Sequence, residues 1–209
     1  AHGEIYMFGA FFCATFITVV GMPFYVAILA AMACCALMGM LIDVIAYKPL
    51  RKAQRLAALI TAIGMSIFLQ NLAMIIWGSR PRAFPKEAVP AYFTETAFQL
   101  GSANVTWLHI FILGVTVFMM IGLNLIITKT KVGTAMRALS QNKTYCQLMG
   151  INVNRVISVT FALGSSMGAV AGILVAVYYS TYFPLMGYTA GVKAFAAAVL
   201  GGIGNITGA

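Results

Sequence analysis

The chain has 209 residues, of which 62% are hydrophobic and 8% charged, and its mean hydropathy is +0.95. Soluble domains contain about a quarter charged residues, so this composition excludes an ordinary globular protein and indicates an integral membrane protein. The charge is unbalanced, with 13 Lys and Arg against 4 Asp and Glu. Because the basic residues lie between apolar runs, they are typical of cytoplasmic loops rather than of a nucleic-acid-binding surface.

The apolar runs predict an all-α, polytopic transmembrane helical bundle with about five full spans plus short or broken helices. A helix needs about 20 apolar residues to cross a hydrocarbon core about 30 Å thick. The runs are rich in small residues that let helices approach closely. A short first run is followed by four long ones and by a sixth stretch that starts around Gly191; the first five are Ile5 to Val20, Phe24 to Tyr47, Leu56 to Trp77, Val105 to Ile127 and Val156 to Tyr179.

The two ends of the chain lack the features of natural termini. The sequence begins without Met or a basic leader, and it stops inside a glycine-rich run. We therefore expect residues 1–209 to be a single transmembrane domain that is truncated at both ends, as an internal piece of a longer membrane protein.

Two segments without acidic residues predict the orientation in the membrane. Lys48 to Arg55 contains four basic residues, and Thr128 to Arg155 contains five. The positive-inside rule places both segments in the cytoplasm, and alternation then places Gly78 to Asn104 outside. Because this outer segment contains three prolines, we expect it to be an irregular loop.

The second cytoplasmic segment has apolar residues at helical spacing from Val132 to Met149. This periodicity predicts an amphipathic helix, and Gly150 is a plausible helix stop. Such a helix can lie on the lipid interface or dock into a groove of a partner protein. Periodicity leaves both alternatives open and favours the interface.

The sequence lacks the usual patterns of enzymes and metal sites. It contains no phosphate-binding Gly-x-x-x-x-Gly-Lys-Ser/Thr loop, and its two histidines, His2 and His109, are far apart. Its four cysteines form no C-x-x-C pair. We therefore predict no catalytic residue, no metal and no cofactor, and we expect the chain not to be an enzyme.

Two ionisable residues lie in short or glycine-interrupted apolar segments near opposite ends of the chain. Glu4 opens the first run and Lys193 opens the last. Ionisable residues at membrane depth are functional candidates, and paired broken helices often contain the path of a transporter. If the two residues meet near the midplane, they could bind a zwitterion or pair as a gate. Alternatively, each lies at a helix end and its charged group extends to the interface.

The third span contains four further polar candidates. They can form hydrogen bonds between helices or line a solute path; they are Thr61, Ser66, Gln70 and Asn71. Asp43 differs from them because it lies close to the basic segment Lys48 to Arg55. For Asp43 we therefore expect a stabilising charge pair rather than a role in transport.

Several long and correctly ordered stretches resemble one family. They are Ala1 to Met7, Ala46 to Arg51, Leu59 to Asn71, Gly133 to Ala138, Met149 to Asn152 and Lys193 to Gly204. On these residues the chain resembles the permease subunits of bacterial high-affinity branched-chain amino acid ABC importers, specifically the LivH-type subunit. The resemblance covers most of the chain and leaves Gly78 to Asn104 as its variable part.

The resemblance implies a multi-pass permease of the inner (cytoplasmic) membrane that supplies the path and the gate. It also implies that the second cytoplasmic segment is the loop that docks on the ATPase and couples ATP use to transport, which favours docking over the interface. The implied coupling residues are Gly133, Arg137, Ala138, Gly150 and Ile151. The implied partners are a second permease subunit, two ATP-binding subunits, a periplasmic substrate-binding protein and the lipid bilayer, with no nucleic acid.

Three alternatives remain open from the sequence. The first is an ABC permease for another small solute, such as urea or short amides. The second is an ion-driven secondary transporter, which would need intramembrane carboxylates, and Glu4 and Asp43 are the candidates that lie deep enough. The third is a purely structural membrane subunit.

Overall fold

The computed structural model describes residues 2–52, 55–85, 89–90, 93, 95–100 and 103–202. Eight α-helices and four short strands occupy this part of the chain. The helices are α1 (His2–Thr18), α2 (Phe24–Ile42), α3 (Arg55–Trp77), α4 (Trp107–Lys129), α5 (Lys131–Gln141), α6 (Lys143–Leu148), α7 (Val153–Tyr179) and α8 (Met186–Gly201). A π-helical turn (Asp43–Tyr47) continues α2, and a 3₁₀ turn (Pro49–Lys52) follows it.

The predicted all-α membrane bundle is confirmed. Four described helices are long and apolar enough to cross a membrane; they are Phe24–Tyr47, Leu56–Trp77, Trp107–Lys129 and Val153–Tyr179. The shorter apolar helix α1 has 17 residues, or about 25 Å at 1.5 Å per residue. The structure therefore shows four full-length helices and short ones, close to the predicted set.

The core of the bundle is formed by α1, α2 and α7, which approach closely where small residues meet. A Cβ atom added at Gly39 of α2 would overlap the Ser165 side chain of α7. A Cβ atom at Gly172 of α7 would overlap the carbonyl oxygen of Tyr6. These contacts confirm that small residues bring the helices together, since a methyl group at either glycine would push two backbones apart.

The outer helices contrast with this core. None of the 23 described residues of α4 is buried, although the helix is strongly apolar. Without a hydrophobic driving force between helices in lipid, an apolar helix surface by itself does not hold a helix against its neighbours. Close packing is therefore concentrated in α1, α2 and α7.

The two ends of the 27-residue helix α7 are about 40 Å apart and contact different loops. At its start, Ser158 donates a hydrogen bond to Asp43, next to the first basic segment. Just beyond its end, the backbone N–H of Phe84 donates to the carbonyl of Ser180 at 3.0 Å. The described residues of the two basic segments thus lie at one end of the bundle and those of the 78–104 segment at the other, in agreement with the predicted alternation.

The 78–104 segment is more regular than expected. Strands β2 (Thr96–Leu100) and β3 (Ala103–Thr106) form an antiparallel hairpin, and β1 (Arg82–Ala83) pairs with β4 (Thr181–Tyr182). The prolines precede the hairpin, so they do not interrupt its ladder.

At this end of the bundle, burial raises the pKa of the Tyr182 phenol above its ordinary value, and Arg82 partly opposes the rise.

The last helix begins earlier than the sequence indicates. Helix α8 starts at Met186, five residues before Gly191. The intervening residues include a glycine and polar side chains, which weaken an apolar pattern. Tertiary packing compensates, because Gly187 lies against the backbone of Gly3; within the first turn of α8, Thr189 also donates a hydrogen bond to the Met186 carbonyl.

Candidate functional site

Glu4 lies in the first turn of α1 and is buried, with 3% of its surface exposed. The thiol of Cys35 contacts the carbonyl of the next residue, Ile5, at 3.9 Å. Cys35 is halfway along the continuous helix Phe24–Tyr47. Glu4 therefore lies near the middle of the bundle, at a depth where an ionisable group is costly and usually functional.

The carboxylate of Glu4 is only half satisfied. The Gln70 side-chain amide donates a hydrogen bond of 2.8 Å to Oε1. The buried Oε2 atom has no hydrogen-bond partner among the described residues. It faces Gly187 of α8, where an added Cβ atom would lie 3.1 Å from Oε2. The structure thus joins two of the predicted path residues, Glu4 and Gln70, and leaves one acceptor atom unused.

The other polar residues of α3 do not join this pair. Thr61 donates to the carbonyl of Ala57, and Asn71 donates to the carbonyl of Ile67, each at 2.8 Å and within the same helix. Ser66 is half-buried. These polar side chains lie on the same helix as Gln70, but the structure places only Gln70 against Glu4.

Lys193 is the eighth of the 16 residues of α8, so it lies midway along the helix rather than at its start. This corrects the expectation that it opens the last run, because α8 begins at Met186. Lys193 borders a cavity of about 650 Å³ between α1, α7 and α8. It forms no ion pair with Glu4 in the described part of the chain, and Glu4 does not line this cavity.

Asp43 is fully buried at the cytoplasmic end of α2 and is completely paired. Arg51 Nη2 donates to both carboxylate oxygens, at 2.7 and 2.6 Å, and Ser158 Oγ donates to Oδ2 at 2.6 Å. Arg51 Nη1 also donates to Asn154 Oδ1. The predicted pairing of Asp43 with the basic segment is confirmed. We call these four residues the Asp43 cluster.

The sequence did not point to Ser158 and Asn154 as members of this cluster. They lie in the first two turns of α7, more than 100 residues from their partners. A serine or an asparagine near a helix start is most often a local cap. Only the fold shows that these two side chains connect the start of α7 to the end of α2.

The second cytoplasmic segment forms two helices, α5 and α6, rather than the single helix that its periodicity predicts. Asn142 separates them in an extended conformation, and its side chain accepts hydrogen bonds from Thr144 N and Tyr145 N. An asparagine in this position starts a new helix. The predicted stop is confirmed, since α6 ends at Leu148 and Gly150 has φ +79°.

The predicted coupling residues lie in α5 and in the turn that follows α6. Gly133 is buried where a Cβ atom would overlap the carbonyl of Ile127, so α5 packs tightly on the end of α4. Arg137 is exposed. Ala138 and Ile151 border a shallow groove of about 220 Å³. The structure thus places Ala138 and Ile151 beside each other and leaves Arg137 accessible.

Apolar side chains at this cytoplasmic end are unusually exposed. Met149 is 83% exposed, whereas Cys146, which shares its predicted apolar face, is 5% exposed. Cys146 lies within α6, whereas Met149 lies just beyond its last residue, so the periodic face does not extend to Met149. Leu148 and Tyr145 are exposed as well. Large exposed apolar residues beside basic ones are typical of a protein-binding surface.

A bundle of apolar helices with a buried carboxylate near mid-depth and an accessible helix pair at its basic end is an arrangement expected of a membrane permease. Residues 1–209 match the family described as branched-chain amino acid transport system, permease component. The chain belongs to this family. The predicted resemblance is therefore confirmed, and because the family consists of transport permeases, the chain is not an enzyme.

Curated relatives agree over the whole chain. The chain is 39% identical to the high-affinity branched-chain amino acid transport system permease protein BraD of Pseudomonas aeruginosa. It is 40% identical to the permease protein LivH of Salmonella typhimurium and to LivH of Escherichia coli K12. In each case the alignment covers 100% of this chain and 70% of the relative. No solved structure matches the chain significantly.

Proposed function

We propose that the chain is the permease subunit of an inner-membrane ABC importer that translocates branched-chain amino acids. The observation that carries this proposal is the family match over residues 1–209. Relatives at about 40% identity are permease proteins of high-affinity branched-chain amino acid transport systems. The family match and these relatives do not favour urea, short amides or an ion-driven mechanism.

We propose that residues 1–209 act as one transmembrane domain within a larger assembly. The family implies partner ATPase and binding-protein components. In the proposed assembly these are two ATP-binding subunits and a periplasmic substrate-binding protein, together with a second permease subunit. The bare apolar surface of α4 supports an environment of lipid or further membrane helices.

The solute path in this proposal passes along the polar side chains near mid-depth. The Glu4–Gln70 hydrogen bond near the middle of the bundle supports it, since polar groups at this depth mark transport paths. Lys193, at the cavity between α1, α7 and α8, supplies the opposite charge. Three other residues of α3 complete the proposed path: Thr61, Ser66 and Asn71.

Energy enters through α5 and α6 in this proposal. Gly133 holds α5 tightly against the end of α4, and the turn at Gly150 and Ile151 leads from α6 directly into α7. The Asp43 cluster then connects the start of α7 to the end of α2. A push from an ATPase on Arg137, Ala138 and their neighbours would therefore move α7 and α2 together and rock the bundle between its inward and outward openings.

Copurification tests the proposed partners. A tagged chain expressed with its neighbouring transport genes should recover ATP-binding subunits. Arg137→Glu should reverse the charge at the docking surface, and Gly150→Val should strain the turn at φ +79°, so both should reduce this recovery at least tenfold. The matched control is Arg80→Glu, since Arg80 is an exposed arginine at the opposite end of the bundle.

Two results would contradict the proposal. One is that no ATP-binding subunit copurifies with the unaltered chain. The other is that leucine uptake continues without ATP and collapses when the proton gradient is removed, which would identify an ion-driven carrier.

A further inference from the structure

Lys193 is an exposed cation on a helix whose other exposed residues are mostly apolar. It lies midway along α8, about 10 Å from either helix end. Its exposed neighbours Val192 and Phe195 are apolar. An ionisable residue on a transmembrane bundle usually pairs with an opposite charge or borders a solute path. Lys193 has no ion-pair partner among the described residues.

The cavity beside Lys193 has the character of a small-molecule site. Its volume of about 650 Å³ is within the range of about 300–1,000 Å³ that is usual for ligand pockets, which are mostly apolar with a few polar groups. Val175, Phe183 and Met186 supply apolar walls, and Tyr6 and Tyr179 supply phenol groups. Lys193 is the one cation among the described lining residues.

The helix periodicity of α8 separates this cavity from Glu4. Met186, Ala190 and Lys193 follow the spacing of one helix face and line the cavity. Gly187 and Gly191 lie against Gly3 of α1 instead, and Gly187 faces the carboxylate of Glu4. Glu4 does not line this cavity, so among the described residues the charged group beside it is that of Lys193 and not that of Glu4.

We propose that this cavity binds the translocated amino acid, with its carboxylate on the Nζ atom of Lys193. The branched side chain packs against Val175, Phe183 and Met186, and the ammonium faces the phenol oxygens of Tyr6 and Tyr179. This inference rests on the proposed function, because it requires that the permease itself transiently contacts the amino acid that it transports.

Binding of radiolabelled leucine to the assembled membrane complex tests the inference. The complex of permeases and ATP-binding subunits is placed in phosphatidylcholine nanodiscs without the substrate-binding protein. Leucinol, which has the same side chain and ammonium but no carboxylate, serves as the competitor. We expect leucinol to compete at least tenfold more weakly than leucine, because it cannot pair with Lys193.

Three variants and one control accompany this measurement. Lys193→Gln should weaken leucine binding at least tenfold and remove the discrimination against leucinol, and Lys193→Arg should restore both. Ala190→Phe should weaken binding by filling the cavity without changing its charge. The control, Val192→Gln, adds a polar group at the neighbouring exposed position and should bind leucine normally. Retained ATP hydrolysis shows that each variant has assembled.

The inference is overturned if Lys193→Gln binds leucine as the unaltered complex does, or if leucinol competes equally well. It is also overturned if the unaltered complex binds no leucine; loss of leucine binding only in nanodiscs that contain phosphatidylglycerol would identify an anionic lipid site instead. In either case, ATP-driven leucine uptake with the binding protein present would leave the proposed function intact. Absence of that uptake would overturn the proposed function itself.

Discussion

The two buried carboxylates of the bundle differ in how completely their oxygen atoms are paired. Asp43 is 0% exposed and accepts three hydrogen bonds from Arg51 and Ser158. Glu4 is 3% exposed and accepts one, from Gln70, while its Oε2 atom has no partner among the described residues. Two carboxylates that are equally buried can therefore differ in how far their hydrogen-bonding capacity is used, and our proposal for Glu4 rests on that difference.

The surroundings of the two groups explain this difference. Asp43 lies where α2 passes into a π-helical turn, and that turn brings Arg51 back over the carboxylate. Glu4 lies where Gly3 of α1 and Gly187 of α8 let the two backbones approach closely. Because the residue that faces Glu4 Oε2 is a glycine, it has no side chain that could donate a hydrogen bond. At Asp43, all of the carboxylate is paired, and the paired side chains lose conformational freedom. At Glu4, one carboxylate oxygen near the middle of the bundle has no hydrogen-bond donor among the described residues.

Removing the cation from the Asp43 cluster should have the largest effect on stability. Arg51→Ala leaves a fully buried carboxylate without its charge partner, which costs about 3–5 kcal/mol. Thermal unfolding of the detergent-purified complex should show a lower midpoint and reduced assembly. Arg80→Ala, at an exposed position outside any cluster, should change the midpoint little. A loss below about 1 kcal/mol for Arg51→Ala would show that the cluster does not stabilise the bundle.

Removing a single hydrogen bond from the same cluster should have a smaller effect. Ser158→Ala deletes the 2.6 Å bond to Asp43 and leaves the arginine pair in place, so we expect a loss of about 1.5–3 kcal/mol. The same unfolding measurement applies. Ser140→Ala is the matched control, because Ser140 is exposed and bonds only within its own helix. Equal midpoints for Ser158→Ala and Ser140→Ala would contradict the connection between α2 and α7.

A substitution at the α1–α7 contact should disturb the surroundings of Glu4 instead. Gly172→Ala places a methyl group on the Tyr6 carbonyl, and separating the helices should cost about 1–3 kcal/mol. Gly114→Ala, in α4, has open space at the same atom and should be neutral or slightly stabilising. Equal unfolding midpoints for Gly172→Ala and Gly114→Ala would contradict the close contact between α1 and α7 that surrounds Glu4.

Much of the fold can be predicted from patterns of residues that are close together in the sequence. The long helices are continuous apolar runs, and the Asp43–Arg51 pair is eight residues apart in the chain, so a turn suffices to join it. Apolar periodicity does not predict the early start of α8, because it gives little weight to glycine and threonine. It does not predict the break at Asn142 either, since that break depends on an asparagine cap rather than on apolar spacing.

The candidate site depends on contacts that no local pattern contains. Glu4 and Lys193 were singled out because they are ionisable residues in apolar segments. Which partners they have depends on how α1, α3, α7 and α8 cross. The Gln70 hydrogen bond joins residues 66 positions apart, and Ser158 reaches Asp43 across 115 positions. Whether each carboxylate is fully paired therefore depends on contacts between residues that are far apart in the sequence.

The substitution Glu4→Gln tests most directly whether the unsatisfied carboxylate serves transport. Glutamine keeps the shape and the hydrogen bond with Gln70, so stability should change by less than about 1 kcal/mol and the ATP-binding subunits should still copurify. ATP-driven leucine uptake per assembled complex should fall at least tenfold, while the matched control Glu95→Gln, at an exposed position near the outer end, retains it. Unchanged leucine uptake in Glu4→Gln would contradict the account.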